Sequence, residues 1–322
     1  MRVAKLIITA CLLAAIPVAA QASERSTWGV VVENDVFAGA DRDYTSGLKA
    51  YAVLPSGRGA ALARTILRAG QSDQSRLGFA FGQSLFTPDD YQLVTPPADQ
   101  HPSAGWLYGE ASLTVARESG IVDIATLQAG IVGPAALGEE SQRFIHRTFN
   151  FLTPRGWPHQ LRNEPGLAVS FDRRWRGVFT SKGDMEFNVA PFAGASLGNV
   201  LTEARTGLVF RMGTDLAHDF GAARVNPGTP SSGFDERTGN FAWTLYGIAA
   251  GHAKARDIFL DGNTFVSSAS VDKRNFVGDF QAGVTLKFGR INISYAHNWK
   301  TRQYATEIGP HSFGALTLSA RF

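Results

Sequence analysis

The strongest constraint in this sequence is a period of two. Stretch after stretch sets apolar residues against small or polar ones, the mark of strands with unlike faces. In residues 27–35, Trp28, Val30 and Val32 share a face; in residues 44–54, Leu48, Ala50, Ala52 and Leu54 oppose Thr45, Gly47, Lys49 and Tyr51. Leu77, Phe79 and Phe81 alternate with Gly78, Ala80 and Gly82, and Leu107, Ala111, Leu113 and Val115 with Trp106, Tyr108, Glu110, Ser112 and Thr114. Residues 122–133 form a fifth segment, and the pattern resumes at 167–174, 186–189, 202–213 and 240–256. It is clearest in residues 279–288, 291–298 and 315–322.

About twelve such segments, most near the length a tilted strand needs to cross hydrocarbon, predict an all-β fold: a closed antiparallel transmembrane β-barrel of about twelve strands. Closure matters because lipid cannot solvate an open sheet edge. The polar faces carry Asp, Lys, Asn and Gln, which suits a barrel with lipid outside and a polar interior; a soluble sandwich would bury the apolar faces. The 34 glycines, 22 phenylalanines and only 18% charged residues agree with this, as does an alternating last strand ending on Phe322. With both termini on the periplasmic side, residues 36–43, 87–104 and 134–163 become outer connections, and 118–121 and 289–290 tight inner turns. The inner connections 55–75, with an amphipathic helix expected over 58–68, and 214–239 are long for such a barrel.

Residues 1–22 read as a secretory signal peptide, with a basic start, a short apolar core broken by Pro17 and an Ala20-Gln21-Ala22 cleavage signal. Ile8-Thr9-Ala10-Cys11 resembles a lipoprotein acylation box, but too few apolar residues precede it. Residues 23–322 are then one barrel domain. Cys11, the sole cysteine, would leave with the signal, so the mature chain is expected to have no disulfide and no thiol nucleophile. A net charge of +3 without a Lys/Arg run gives no case for nucleic acid.

Two places could carry chemistry. Glu33-Asn34-Asp35 and Asp43-Tyr44-Thr45-Ser46-Gly47 put carboxylate, amide and hydroxyl groups at a strand end and the next strand start. Asn34 and Asp35 fall on opposite faces of a regular strand, so they can serve one site only where the strand ends or bulges. Residues 139–150 form the one strong helical pattern after the signal, with acids in the first turn and Arg147 near the end. Phe144, Ile145, Thr148 and Phe149 are expected to pack on the barrel, while Gln142 and His146, four apart, share a face. A histidine so placed is by default a packed side chain. Asp41 and Asp43 are further candidate metal ligands, although loop acids are usually just solvated, and Glu139 and Glu140 are explained by the helix start alone.

These motifs, with Gln83-Ser84-Leu85-Phe86-Thr87-Pro88, Gly133-Pro134 and Gln160-Leu161-Arg162-Asn163-Glu164, occur in an order that resembles the outer-membrane lipid A 3′-O-deacylase family. The resemblance runs over about residues 28–175 and rests on the ordered set. It implies a twelve-stranded barrel with a short helix in an extracellular loop and a Ca2+-dependent site at the outer rim. That site would cleave the 3′-linked acyloxyacyl ester of lipid A, in the lipopolysaccharide of the outer leaflet. His146 would be the general base, Asn34 and Asp35 would serve the calcium and oxyanion region, and Thr45 would assist. The family also has a basic residue in the second outer loop, where residues 87–104 here have no Lys or Arg, only His101.

The expected protein is thus a monomeric outer-membrane enzyme facing the cell exterior. A phospholipase-like acylhydrolase and a non-enzymatic pore or structural barrel are the alternatives; a lumen occluded by Glu110, Asp172, Arg174 and Lys287 would count against the pore. His311-Ser312 resembles the His/Ser pairs of other barrel acylhydrolases, but neighbours in a strand face opposite ways. His159, His218, His252 and His297 lack matching partners.

Overall fold

The computed structural model describes residues 25–35, 43–175, 177, 179–181, 185–214, 216, 225 and 241–322. The expected signal peptide at 1–22 lies outside them, as do Asp41 and His218.

The alternating segments are strands. In chain order they are β1 (Thr27–Asn34), β2 (Asp43–Val53), β3 (Gln74–Thr87), β4 (Ala104–Ala116), β5 (Ile121–Val132), β6 (Glu164–Trp175), β7 (Phe179–Ser181), β8 (Glu186–Gly198), β9 (Leu201–Gly213), β10 (Phe241–Asp257), β11 (Phe276–Phe288), β12 (Ile291–Lys300) and β13 (His311–Arg321). Neighbours pair antiparallel around a ring, β1 with β13 and β6 with β8, so the sheet closes on itself. The short β7 continues β6 down the same wall: β8 pairs with β6 through Phe192 and with β7 from Val189. Twelve wall positions result. Pro191 sits in β8 at this changeover, a break in the ladder where a residue without an N–H is tolerated.

The faces divide as the alternation predicts. Trp28, Leu48, Phe79, Phe81, Leu197 and Phe280 point outward and are 47–71% exposed, far more apolar surface than a soluble chain shows. Lys49, Glu110, Asp172, Gln281, Lys287 and Asn298 point inward and are buried. Their charges are paired: Lys49 Nζ lies 3.0 Å from Glu110, and Arg205 Nη2 lies 2.6 Å from Asp172 while its Nη1 lies 3.1 Å from Glu203. His252 joins this network through Glu203, at 3.0 Å. The lumen is therefore a packed polar core. Val225, between β9 and β10 in the chain, adds to it: it is buried against Val31, Tyr51 and Val53 and donates its N–H to Glu33 at 2.8 Å.

At one rim the strands meet in tight turns, with Gly289 at φ 52° between β11 and β12 and Gly120 at φ 82° between β4 and β5. The β2–β3 connection at this rim carries helix α1 (Ala60–Leu67). The opposite rim holds most of the longer connections. Two of them carry helix α2 (Gly138–Phe149) between β5 and β6 and the one-turn helix α3 (Ile258–Asp261) after β10.

Helix α2 forms as expected, but it packs the other way round. Phe144 is 70% exposed and Thr148 is exposed, whereas Gln142 and His146 are buried at 2% and 6%. Ile145 is half-buried, and the side chain of Phe149 is not among those described. The surface beneath this helix is the mouth of a polar barrel, so the polar face goes down and the aromatic face stays out. Close approach is set at Gly138, where a Cβ would fall 2.6 Å from the Trp157 ring and 3.0 Å from Leu85. Trp157 Nε1 then donates to Gln142 Oε1 at 2.6 Å, and Gln83 Nε2 donates to the Ala136 carbonyl at 2.6 Å.

Candidate active site at one rim of the barrel

Three separate segments meet beneath α2. Asn34, Asp35, Thr45 and His146 all line one cavity of about 310 Å³, together with Tyr91, Ile145, Asn150, Phe151 and Leu152. That is room for an ester and part of an attached chain.

Local backbone events bring the polar groups together. Glu33 and Asp35, two apart, both point inward and are fully buried as alternation demands, so Asn34, half-buried at the end of β1, is the residue that departs from strict alternation to line the same cavity. On the facing strand, Tyr44 pairs with Phe86 and Ser46 with Leu85, so Thr45 is the extra residue of a bulge. Bulges re-aim side chains, and here Tyr44 and Thr45 are buried in succession. Thr45 Oγ1 lies 2.5 Å from Thr87 Oγ1, and the Thr45 carbonyl accepts from Asn34 Nδ2 at 3.2 Å. That bond uses the amide nitrogen, so the oxygen is the atom Asn34 can offer a cation. Below, Tyr44 Oη donates to Glu33 Oε2 at 2.7 Å.

His146 is oriented by the end of its own helix. Asn150 caps α2 in the left-handed conformation, φ 59°, which asparagine tolerates better than most residues. The chain turns back there, Phe151 N donates to the His146 carbonyl at 2.9 Å, and the Leu152 carbonyl comes to 2.5 Å from His146 Nδ1. A carbonyl only accepts, so Nδ1 is the donor, and the neutral tautomer this contact selects has its lone pair on Nε2. Tyr91 and Phe151 pack edge-on against the imidazole at 5.9 and 5.7 Å.

As a donor set for a cation, the cavity offers one carboxylate and neutral oxygens, which suits a hard ion such as calcium. Among the described residues no three His, Cys, Asp or Glu side chains gather into a cage. Among the described residues, Asp35 and Asn34 therefore fit as part of a Ca2+ ligand set. Asp43 is described only through its backbone in β2, and Glu139 pairs with Arg143 at 2.6 Å on the helix surface, away from the lining residues.

The sequence reading missed Tyr91, Asn150, Phe151 and Leu152. One signal was legible: an asparagine directly after a helical run is a stop in the left-handed conformation. The carbonyl it delivers has no side-chain signature.

A separate groove of about 330 Å³ is lined by residues including His101, His159 and Arg162. His101 does not replace a basic residue. It is buried, stacked on Phe86 at 5.3 Å, and donates Nδ1 to the Pro102 carbonyl at 2.8 Å; desolvation pushes its pKa down to about 4. Exposed arginines do flank the site: Arg147 on α2, and Arg155, whose N–H donates to the Tyr91 carbonyl at 2.8 Å. His311 and Ser312 face opposite sides of β13, the first buried and the second half-exposed.

A family model described as outer membrane protein LpxR matches residues 6–322. The chain belongs to the LpxR family. Among solved structures, LpxR from Salmonella typhimurium is similar with a TM-score of 0.76 at 17% identity, over 91% of this chain and 99% of that one. This likeness speaks for the shared barrel. The β domain of the Bordetella autotransporter BrkA is more distant, with a TM-score of 0.43 at 11% identity over 93% and 100% of the two chains. The translocator domain of NalP from Neisseria meningitidis has a TM-score of 0.40 at 8% identity over 100% and 96%. No curated protein sequence matches the chain. LpxR membership and the closed barrel together make this a membrane-embedded protein of the outer membrane, of the lipid A 3′-O-deacylase type that its motifs resemble.

Proposed function

We propose that this LpxR-family barrel is a Ca2+-dependent esterase that hydrolyses the 3′-linked acyloxyacyl chain of lipid A, with its cavity opening to the cell exterior. The observation that carries this reading is the convergence of Asn34, Asp35, Thr45 and His146 on one cavity. Lipid A lies in the outer leaflet, level with such a rim.

In this reading His146, held by Leu152 with its lone pair on Nε2, takes a proton from water as the water attacks the ester carbonyl. It then returns the proton to the departing sugar oxygen. Asp35 and Asn34 would hold the calcium ion, which when bound supplies positive charge for the ester oxygen as it becomes an oxyanion. Thr45, fixed by Thr87 and Asn34, braces that corner. Ile145, Phe151 and Leu152 give the cavity an apolar wall for the acyl chain and limit access of bulk water. No serine or cysteine nucleophile is needed.

The filled lumen speaks against a pore. A phospholipase-like activity is separated by product: purified protein incubated with lipid A and phospholipid, with Ca2+ or a chelator, is analysed by mass spectrometry. Loss of the 3′ acyloxyacyl group only with Ca2+ is expected. Fatty acid released from phospholipid alone would select the other acylhydrolase, and no product under any condition would remove the enzyme reading.

A further inference from the structure

We infer that α1 is an in-plane lipid anchor on the outer wall of the barrel, seated at the edge of the hydrocarbon on the rim opposite the catalytic cavity. It goes beyond the proposed reaction and does not depend on it.

The helix packs outside the barrel. Its buried residues Ala63 and Leu67 sit on Leu113 and Val115, which alternate with the lumen-facing Ser112 and Thr114 and therefore face outward. A stripe of lipid-facing wall is thus covered by protein. The covering helix replaces that surface with its own: Leu62 is 48% and Ile66 is 58% exposed. At about 100° per residue, Arg64 lies about 160° from both, on the opposite flank. Arg64 is exposed, as are Arg58 before the helix and Arg68 at its end. One flank is apolar and the other cationic, the pattern of a helix lying in a membrane interface.

Its depth agrees. Arg117 Nη2 donates to the Leu67 carbonyl at 2.6 Å, and Nε to Asp123 at 2.8 Å; Asp123 also accepts from Arg173 Nε at 2.7 Å. This charged knot lies on the outer face of β5 and β6, where Leu127 and Phe171 above it are 45% and 40% exposed. Apolar wall gives way to ion pairs at that level, so α1 continues the lipid belt at its lower border. The occupant is therefore a phospholipid leaflet, acyl chains against Leu62 and Ile66 and anionic head groups against the arginines.

Nitroxide labels test this. With Cys11 replaced, single cysteines at Leu62, Ile66 and Arg64 are labelled in the full barrel, reconstituted in vesicles of phosphatidylethanolamine and phosphatidylglycerol. Collision with oxygen and with a water-soluble nickel complex is then measured. The expected result is an oxygen-to-nickel accessibility ratio several-fold higher at 62 and 66 than at 64. Water-like values at all three would overturn the proposal. Low accessibility to both reagents with spin–spin broadening at 62 and 66 would also overturn it, pointing to a second copy as the occupant. Positions 62 and 66 are exposed and separately labelled, so each reports even where the other variant fails to fold.

Discussion

His146 Nδ1 lies 2.5 Å from the Leu152 carbonyl oxygen, a contact that exists only because Asn150 between them adopts φ 59°. The tautomer of the His146 imidazole is thereby written into a helix stop. Asn150→Gly should keep near wild-type turnover, since glycine takes the same conformation at no steric cost. Asn150→Val, which resists it by roughly 1–2 kcal/mol, should lower kcat by about tenfold. Turnover of purified barrels of equal foldedness checks this; equal loss in both would assign the effect to the asparagine side chain.

Among the described residues, Asp35 is the one buried carboxylate lining the cavity. Asp35→Asn should raise the Ca2+ concentration for half-maximal activity by at least about tenfold, the mark of a lost charged ligand. Glu33, whose oxygens accept from Tyr44 Oη and Val225 N, should not behave so when changed to Gln. Calcium titrations of the two variants separate the roles.

The bulge at Thr45 makes a register prediction. Deleting Thr45 removes the extra residue and should abolish activity while the barrel still folds, because pairing below Ser46 is untouched. Thr45→Ser, which keeps the hydroxyl near Thr87, should retain most turnover. Heat-modifiable mobility on gels reports folding, and lipid A hydrolysis reports the site.

His101 gives a pH signature. Its pKa falls from 6.5 to about 4 on folding, so above pH 6.5 its protonation does not affect stability. Below that the unfolded loop binds the proton first, and stability is lost progressively down to pH 4, by about 3 kcal/mol. Hydrogen exchange of residues 88–103 should accelerate between pH 7 and pH 4.5 beyond its intrinsic pH dependence, and His101→Leu should flatten that change. Because His101 stays neutral at pH 7, a cation for the head group in the proposed reaction would come from elsewhere. Arg155→Gln should raise KM for lipid A several-fold with kcat little changed.

The container was legible because lipid and lumen impose opposite demands on alternate residues. Phe280, Gln281 and Lys287 could not be exchanged without putting charge in hydrocarbon. Strand β8 was read only as far as Val189, since Ala190-Pro191-Phe192-Ala193-Gly194-Ala195 has small residues on both faces and no contrast to count. The packing of α2 was misread for a related reason: amphipathicity gives two faces, not which of them meets the barrel. The four polar residues that line the cavity were singled out through their ordered motifs. The bulge that turns Thr45 and the carbonyl that holds His146 are backbone features, and side-chain patterns do not encode them directly.

The proposed role of His146 as the base of a lipid A esterase is tested most directly by mass spectrometry of lipid A from cells expressing the wild type or His146→Ala at equal folded levels in the outer membrane. The wild type should yield lipid A lighter by the 3′ acyloxyacyl group, and His146→Ala should leave it intact. Lipid A unchanged by the wild type, or shortened equally by both proteins, would contradict the account.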